Sequence, residues 1–229
     1  MSTARRQILA ALRRSLRREQ PDAETRAELE RRLAAPRPNL VPQRAQVGPA
    51  AQLDLLEAML KELSATVVRL DDEAAVPQAV ADFLKQENLP PKLRLAPRDD
   101  LRRLPWDGQP LLEVEEGIAE ADDGTSVTGA FAGIAETGTL LMASGQEAPV
   151  TLNFLPENHL VVLRASQVVG TYEEAWQRLR ARFGAGTLPR AVNMITGPSR
   201  TGDIEQTILL GAHGPRRLHV LLVDDRERA

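Results

Sequence analysis

Residues 66–96 read TVVRLDDEAAVPQAVADFLKQENLPPKLRLA, and this stretch decides the fold class. The short apolar runs Thr66–Leu70 and Lys92–Ala96 are typical of buried strands. Between them, the spacing of apolar residues predicts a helix from about Pro77 to Gln86, because proline is tolerated in the first turn of a helix. A strand, a helix and a second strand in this order predict a βαβ unit. We therefore expect an α/β fold with a mostly parallel sheet flanked by helices.

The rest of the chain extends this α/β pattern. The apolar runs Leu160–Leu163 and Leu218–Val223 predict two more buried strands. The stretch from Thr171 to Arg182 predicts a helix that opens with a Thr-x-x-Glu capping box. Gly117–Ser144 is instead rich in glycine, alanine and threonine. Small residues of this kind indicate that the backbone comes close to another strand or to a ligand.

The first 35 residues predict a helical arm. Its basic helix carries an apolar stripe at helical spacing, formed by Ile8, Leu9, Leu12 and Leu16. Prolines within residues 36–49 indicate an extended linker, so residues 50–229 are expected to form the α/β domain. The arm has the features of a membrane-surface helix, a targeting peptide or a packing arm. Its lack of Trp and Phe and its acidic second helix favour packing, which could join two copies into a homo-oligomer.

The composition limits the chemistry of these 229 residues, because they include no cysteine. Disulfides, a cysteine nucleophile, a thiolate zinc site and an iron–sulfur cluster held by this chain's own cysteines are excluded. The net charge of −3 and the aromatic content of 3% give no basis for nucleic-acid binding. Because no apolar run approaches the ~20 residues of a membrane span, we expect a soluble, cytoplasmic protein without a membrane partner.

The segment Gly197–Glu205, GPSRTGDIE, concentrates hydroxyl groups, two glycines and one arginine. It follows Ala191–Ile195, which predicts a buried strand, and leads into Ile204–Leu210, which predicts a short helix that stops at Gly211. A glycine turn between a strand and a helix is where α/β proteins bind anions, so we predict that a small organic anion binds here. The predicted contacts are Gly197, Ser199, Arg200, Thr201, Asp203 and Glu205.

This turn does not match a nucleotide-binding P-loop. Gly197 and Gly202 have the P-loop spacing, but Asp203 and Ile204 stand where a Lys and a Ser or Thr would bind phosphate and magnesium. Asp203 is instead suited to cap the predicted helix, with Gln206 completing a capping box. A well-capped helix without a ligand is therefore the alternative interpretation.

A second polar turn, Glu136–Thr139, lies between two apolar segments of strand-like sequence. Turns at the ends of strands can face one crevice, so we expect Thr137, Gly138 and Thr139 to form the second wall of the anion site. Glu136 is then the candidate general base or nucleophile, and Glu205 is a weaker candidate. In the alternative interpretation, the segment is a hairpin turn with a solvated glutamate.

The three histidines show no metal-ligand spacing, and no metal site is predicted. His159 follows a Pro-Glu-Asn turn and is expected to cap that turn or to face solvent. His213 follows the predicted helix, where its ring could bond the last carbonyl groups, and it is a minor catalytic candidate.

Four motifs together carry a family resemblance. They are Ala135–Thr139 (AETGT), Leu155–His159 (LPENH), Gly197–Glu205 (GPSRTGDIE) and Gly211–Pro215 (GAHGP). In their order and spacing, the chain resembles the lactate utilisation protein C family, within the wider lactate-utilisation domain superfamily. The resemblance implies a fold similar to that of the ribose-5-phosphate isomerase, glucosamine-6-phosphate deaminase and CoA-transferase group.

The resemblance also implies a function, namely a role beside two iron–sulfur proteins in the oxidation of L-lactate to pyruvate. Because the chain has no cysteine, it resembles the small subunit that binds no cofactor, and the iron–sulfur clusters are expected in the partner subunits. The candidate site residues follow from the chemistry of the two turns and are not carried over from the family.

Three functions stay open at this point. The chain could be a non-catalytic or co-catalytic subunit of a lactate-oxidising complex. It could be a stand-alone enzyme of the same fold group, with Glu136 acting on a sugar phosphate or a CoA ester. It could also be a non-catalytic assembly protein that works through its N-terminal arm.

Overall fold

The computed structural model describes residues 3–17, 20–184, 186–204, 207–211 and 213–226, with the backbone alone at residues 202–204 and 207–209. These residues divide into two compact units, one up to Pro38 and one from Asn39 onward. The described residues form six α-helices, namely α1 Thr3–Ser15, α2 Ala23–Ala34, α3 Pro49–Glu62, α4 Val76–Gln86, α5 Asp99–Arg102 and α6 Tyr172–Phe183. They form twelve strands, namely β1 Thr66–Leu70, β2 Lys92–Leu95, β3 Glu113–Glu116, β4 Thr125–Gly129, β5 Ala132–Ile134, β6 Thr139–Ala143, β7 Asn158–Arg164, β8 Val168–Val169, β9 Val192–Ile195, β10 Arg200–Ile204, β11 Thr207–Leu210 and β12 Arg217–Val223.

The N-terminal unit contains helices α1 and α2, and neither helix has a buried residue. The carboxylate of Asp22 accepts a hydrogen bond from the amide of Thr25 at 2.7 Å and so caps α2. The apolar stripe of the arm is exposed, with Ile8 at 61% and Leu12 at 51% of their maximal accessible surface. No helix within the described ranges combines the length and the apolar character that crossing a membrane requires.

The second unit is built on a six-stranded sheet with the strand order β1-β12-β7-β4-β2-β3. Every neighbouring pair in this sheet is parallel. The α/β fold with a mostly parallel sheet, predicted from residues 66–96, is therefore confirmed.

Helices cover both faces of this sheet, which explains why its central strands are continuously apolar. On one face, α4 packs Val80, Phe83 and Leu84 into a cluster that includes Leu160 and Val162 of β7. On the other face, the apolar side of α3 packs into a cluster that includes Val161 and Leu163 of the same strand. Successive residues of β7 thus point to opposite faces, and both faces are core.

A second sheet of four strands, in the order β8-β5-β6-β9, was not predicted. It is mixed, because β5 pairs with β6 antiparallel and with β8 parallel, while β6 pairs with β9 antiparallel. Its small residues allow close packing: a Cβ atom placed on Gly133 would lie 2.7 Å from the side chain of Leu163. The prediction that the backbone of Gly117–Ser144 comes close to another element is confirmed at this position.

The prediction of a helix from Ile204 to Leu210 is wrong, because this segment belongs to an antiparallel hairpin. Strand β10 pairs with β11 in a register that places Arg200 opposite Leu210 and Thr201 opposite Leu209. Asp203 lies within β10 and therefore does not cap a helix. The β-branched Thr201, Ile204 and Thr207 favour a strand over a short helix. The predicted capping partner Gln206, like Glu205, lies outside the described residues.

The segment Ala191–Ile195 does contain a strand, β9, but it is not a buried one. It forms the edge of the four-stranded sheet, and Met194 exposes 39% of its surface. The apolar composition therefore predicted the strand correctly and its burial wrongly.

Candidate functional site

The two polar turns lie side by side because of the pairing between β6 and β9. These strands are antiparallel, and Leu140 near the start of β6 lies opposite Ile195 at the end of β9. The residues next to this pair, Thr139 and Thr196, bring their hydroxyl oxygens within 2.8 Å of each other. The structure thus brings the Glu136–Thr139 turn next to the turn that begins at Gly197.

Hydroxyl groups at this junction bond mainly to one another. The Oγ1 atoms of Thr137 and Thr139 are 2.7 Å apart, and the hydroxyl of Tyr172 in α6 lies 3.1 Å from the first and 2.9 Å from the second. Thr139 is completely buried. The two predicted ligand contacts Thr137 and Thr139 therefore form an internal hydroxyl cluster with Tyr172 and Thr196.

The glycines of the two turns pack against the end of helix α3. Gly138 has φ 65° and Gly197 has φ 78°, conformations in which a side chain is strained. A Cβ atom on Gly138 would lie 2.9 Å from the backbone nitrogen of Leu60, and one on Gly197 would lie 2.8 Å from the carbonyl oxygen of Leu63. Close approach to a helix, in addition to any ligand, is thus the reason for glycine at both positions.

Arg200 also binds the end of α3. One terminal nitrogen of its guanidinium, Nη2, donates to the carbonyl oxygen of Leu63 and, at 3.1 Å, to the hydroxyl of Ser64. A cation at the C-terminus of a helix is favourable because the last carbonyl groups there carry partial negative charge. Arg200 therefore fixes the turn to α3 while its side chain borders the pocket described next.

A polar pocket of about 270 Å³, named here the His159 pocket, lies beside this turn. Its walls come from three of the motifs identified in the sequence, namely 155–159, 197–205 and 211–215. The first of these contributes His159. The polar and charged side chains that its lining includes are Asn153, His159, Thr196, Ser199, Arg200 and His213. No carboxylate belongs to the described residues that line it. The pocket is situated at the amino edge of the parallel sheet, because His159 is the second residue of β7 and Leu218 the second residue of β12.

His159 forms part of the pocket wall and is completely buried. Its Nε2 atom lies 2.7 Å from the hydroxyl of Thr128, whereas its Nδ1 atom has no hydrogen-bond partner among the described residues. Burial lowers the pKa of His159 from 6.5 to about 3, so the ring is neutral at physiological pH. The expectation that His159 caps a turn or faces solvent is therefore wrong.

Backbone hydrogen bonds hold the walls of the pocket together. The amide of Ser199 donates to the carbonyl oxygen of Pro215 at 2.9 Å, and the amide of Gly211 donates to the carbonyl oxygen of Ser199 at 2.9 Å. A Cβ atom on Gly214 would lie 3.4 Å from that of Ser199. His213 is exposed at the edge of the pocket, and the element before it is strand β11. The expected bond from His213 to the end of a helix is therefore wrong.

Glu136 lies at a different cavity, of about 180 Å³, whose lining includes Asn39, Tyr172 and Glu173. Its side chain is buried, with Glu136 exposing 6% of its surface. The Oε1 atom accepts a hydrogen bond from the amide of Tyr172 at 3.4 Å, and Oε2 has no partner among the described residues. The interpretation as a solvated glutamate is wrong, and so is the expectation that Glu136 and Ser199 face one crevice.

None of the remaining predicted contacts is among the described residues that line the His159 pocket. Thr201 is buried in β10 and does not belong to the pocket lining. Asp203 follows it in the same strand, and Glu205 lies outside the described residues. Within the described ranges, no three His, Asp or Glu side chains come close enough together to hold a metal ion.

Sequence reasoning missed several residues of the site, chiefly His159, Asn153 and Tyr172. The available signal was the LPENH motif, whose last residue is His159. Tyr172 is the only tyrosine of the chain and follows the predicted cap Thr171 directly, but no local pattern connects it to the Thr137–Thr139 turn.

The fold and the site define an α/β protein whose parallel sheet carries a small polar pocket at its amino edge. Comparison with known proteins gives the family. The model of the LUD domain matches residues 53–223, and the chain belongs to this family, as the four motifs predicted.

Related proteins include two that are named lactate utilization protein C. The one from Shouchella clausii is 31% identical over 121 residues, which is 53% of this chain and 52% of that protein. The one from Bacillus subtilis is 31% identical over 129 residues, covering 53% of this chain and 54% of that protein. The chain thus matches about half the length of these relatives.

A solved structure supports the fold. The crystal structure of a DUF162 family protein from Deinococcus radiodurans aligns with a TM-score of 0.60 and 23% identity. The alignment covers 77% of this chain and 99% of the other. At this identity the similarity establishes the fold and nothing about a ligand.

Proposed function

We propose that this chain acts in lactate utilisation, as a cofactor-free subunit or accessory protein of an iron–sulfur system that oxidises L-lactate to pyruvate. The observation that carries the proposal is membership of the LUD domain family together with relatives named lactate utilization protein C. The proposal assigns the electron-carrying clusters to two partner proteins, since the 229 residues contain no cysteine that could hold one.

Co-purification from the native host tests this proposal. The tagged chain is isolated from cells grown on L-lactate, and the eluate is examined by visible absorbance, iron and sulfide analysis and protein identification. We expect two further proteins with cysteine motifs, and iron in proportion to them. A tagged chain isolated alone, without iron, would contradict the proposal, and so would L-lactate oxidation by the purified chain with a soluble electron acceptor.

The N-terminal arm provides an internal comparison for the same experiment. Its exposed apolar stripe, which includes Ile8 and Leu12, is the surface for which the sequence suggested packing against a partner or a second copy. A variant that lacks residues 1–35 is purified in parallel. If the arm is the assembly element, the variant stays folded and loses the partners. If it retains them, the arm has another role and the α/β domain carries the interface.

A second candidate function rests on Glu136. A buried carboxylate with one oxygen lacking a partner, next to a cavity of about 180 Å³, is the environment expected of a general base or nucleophile. In this case the chain is a stand-alone enzyme acting on a CoA ester or a sugar phosphate. The purified chain is screened for both activities, with Glu136→Gln and the exposed control Glu147→Gln. Turnover that survives in Glu136→Gln would exclude this function.

A further inference from the structure

The buried ring of His159 leaves one hydrogen-bonding atom for the pocket. The residue is fully buried, and its Nδ1 atom has no partner among the described residues although the ring borders a cavity of about 270 Å³. A buried polar atom without a partner is costly, and native structures rarely leave one unless a water or a ligand completes it. His159 therefore brings an unused hydrogen-bonding atom to the wall of this pocket.

Thr128 determines which tautomer the ring adopts. Among the described residues, its hydroxyl bonds to Nε2 of His159 at 2.7 Å. If this hydroxyl donates to Nε2, its own proton is satisfied and the ring proton resides on Nδ1. In the opposite arrangement, the buried hydroxyl proton of Thr128 would lack an acceptor. The first arrangement leaves one buried polar group unpaired instead of two, so Nδ1 of this pocket-lining residue is assigned as a hydrogen-bond donor.

We propose that the His159 pocket binds the carboxylate group of a small organic acid, and that Nδ1–H of His159 donates a hydrogen bond to one of its oxygens. Ser199, which belongs to the same wall, offers a hydroxyl to the anion. The ligand class, a small carboxylic acid, follows from the Nδ1–H donor of His159 and from the size and charge of the pocket. The choice of L-lactate and pyruvate as probes rests on the proposed function.

The charges around the pocket favour a monoanion. Its described lining contains one arginine, no lysine and no carboxylate, so an anion meets no repelling group among these residues. The guanidinium of Arg200 already binds the carbonyl oxygen of Leu63, and His159 is neutral. A dianionic phosphate would need more positive charge than this wall supplies. The cavity is also smaller than the roughly 300–1,000 Å³ of pockets for drug-sized ligands, which suits an acid of few carbon atoms.

The tautomer is tested on the full chain without any ligand. Long-range ¹H–¹⁵N correlation spectra distinguish a histidine that carries its proton on Nδ1 from one that carries it on Nε2. We expect the Nδ1–H form for His159, with the assignment made by its loss in His159→Gln. An Nε2–H form would overturn the proposal, because Nδ1 would then be an acceptor facing an anion.

Ligand binding is tested by titration of the same labelled protein with propionate, L-lactate, pyruvate and inorganic phosphate. We expect the carboxylates to shift the ring signals of His159, and phosphate to leave them unchanged at the same concentration. Calorimetric titration measures the affinity of His159→Gln, which lacks these ring signals, and loss of one hydrogen bond to a charged group is expected to weaken binding roughly ten- to a hundredfold. The second variant, Ser199→Ala, changes a half-buried side chain and keeps the test valid if His159→Gln does not fold.

The control is His219→Gln, since His219 is the other buried histidine of the same sheet. Its Nδ1 atom is 2.7 Å from the hydroxyl of Thr66, and it does not belong to the lining of the His159 pocket. We expect this variant to bind carboxylates as the wild type does. Ring signals of His159 that ignore all carboxylates, or that respond to phosphate alone, would overturn the inference. Such a result leaves the co-purification with iron–sulfur proteins untouched, so the two proposals fail separately.

Discussion

Three residues of the two polar turns hold these turns against the end of helix α3. Gly138 and Gly197 both have positive φ, and both approach backbone atoms of α3 or of the residue that follows it. Arg200 adds a charged hydrogen bond to the carbonyl oxygen of Leu63. One helix end thus positions both turns, although they are about sixty residues apart in the sequence.

Replacement of Gly138 by alanine is expected to destabilise the protein by about 2–4 kcal/mol, because a positive φ and a close backbone contact each cost on the order of 1–3 kcal/mol. Its φ is 65°, and the new Cβ atom would lie 2.9 Å from the backbone of Leu60. Urea denaturation of the variant measures the free energy of unfolding. The control is Gly108→Ala, where no atom lies within 4 Å of the new Cβ. Equal stability of the two variants would contradict the role assigned to Gly138.

The sequence predicts a residue's role correctly where its contacts lie within a few residues along the chain. It predicts the role wrongly where the contacts come from other strands of the fold. The cap by Thr171 was predicted correctly because it joins residues three apart, whereas the reciprocal bond of the predicted capping box, from the amide of Thr171 to Glu174, is not formed. His159 was misjudged, since its burial results from β4 and β12 on either side of β7. The pairing of Thr139 with Thr196 was likewise invisible, because it depends on the register of β6 against β9.

At the level of secondary structure, helix α6 shows how a local signal fixes the start of an element. The hydroxyl of Thr171 accepts a hydrogen bond from the amide of Glu174 at 3.2 Å. The carboxylate of Glu174 accepts from the amide of Gly170 at 2.9 Å, one residue before the position that a capping box would use. The cap also places Tyr172, the first residue of α6, against the hydroxyls of Thr137 and Thr139.

Removal of this cap by Thr171→Ala is expected to cost about 1 kcal/mol, within the range of roughly 0.5–2 kcal/mol for such changes. The reason is that a backbone amide in the first turn of α6 loses its acceptor in a buried position, where Thr171 exposes 3% of its surface. The comparison is Thr187→Ala, an exposed threonine outside the regular elements. Thermal denaturation measures both variants, and an unchanged midpoint for Thr171→Ala would show that the cap contributes nothing.

The hairpin of β10 and β11 shows where prediction of elements fails. The sequence from Ile204 to Leu210 is short and apolar, and a short apolar run fits a helix or a strand equally well. Glycines at 197 and 211 predict a turn before such a helix and a stop after it. In the structure, Ser199 bonds to both Pro215 and Gly211 through its backbone, so the same glycines border a hairpin. Hydrogen bonds between residues distant in the sequence therefore determine that this segment forms a hairpin and not a helix.

At the scale of the whole α/β unit, the two edges of the parallel sheet have different roles. Ligands of α/β proteins commonly bind at the carboxyl edge. Here, that edge holds ion pairs in which Asp100 accepts hydrogen bonds from Arg98 at 2.9 and 2.7 Å and from Arg164 at 2.8 Å. Arg164, which ends β7, also binds Glu73, which follows β1. The ion pairs join the ends of several strands, and the His159 pocket lies at the opposite, amino edge.

Asp100 links this cluster to the stability of the fold. Burial alone would raise its pKa, but the hydrogen bonds and charges of Arg98 and Arg164 outweigh that effect and lower the pKa from 3.8 to about 2. Because the folded-state pKa lies below the ordinary value, the ionised carboxylate stabilises the fold at pH above 3.8. This contribution is lost as the pH falls from 3.8 towards 2. At roughly 1.4 kcal/mol for each unit of pKa, the shift corresponds to about 2.5 kcal/mol at neutral pH, and solvent screening of a side chain that is 30% exposed reduces this contribution to about 2 kcal/mol.

The replacement Asp100→Asn tests this assignment through the pH dependence of stability. At pH 7 the variant is expected to unfold more readily than the wild type by at least about 2 kcal/mol, because two arginines also lose their shared anion. The difference is expected to shrink as the pH falls from 3.8 towards 2, because the carboxylate is protonated in the unfolded wild-type chain before it is protonated in the folded one. Urea denaturation across this pH range measures both proteins, with the exposed Asp107→Asn as the control. A difference that stays constant down to pH 2 would mean that the size and shape of the side chain, and not its charge, join the strands at this edge.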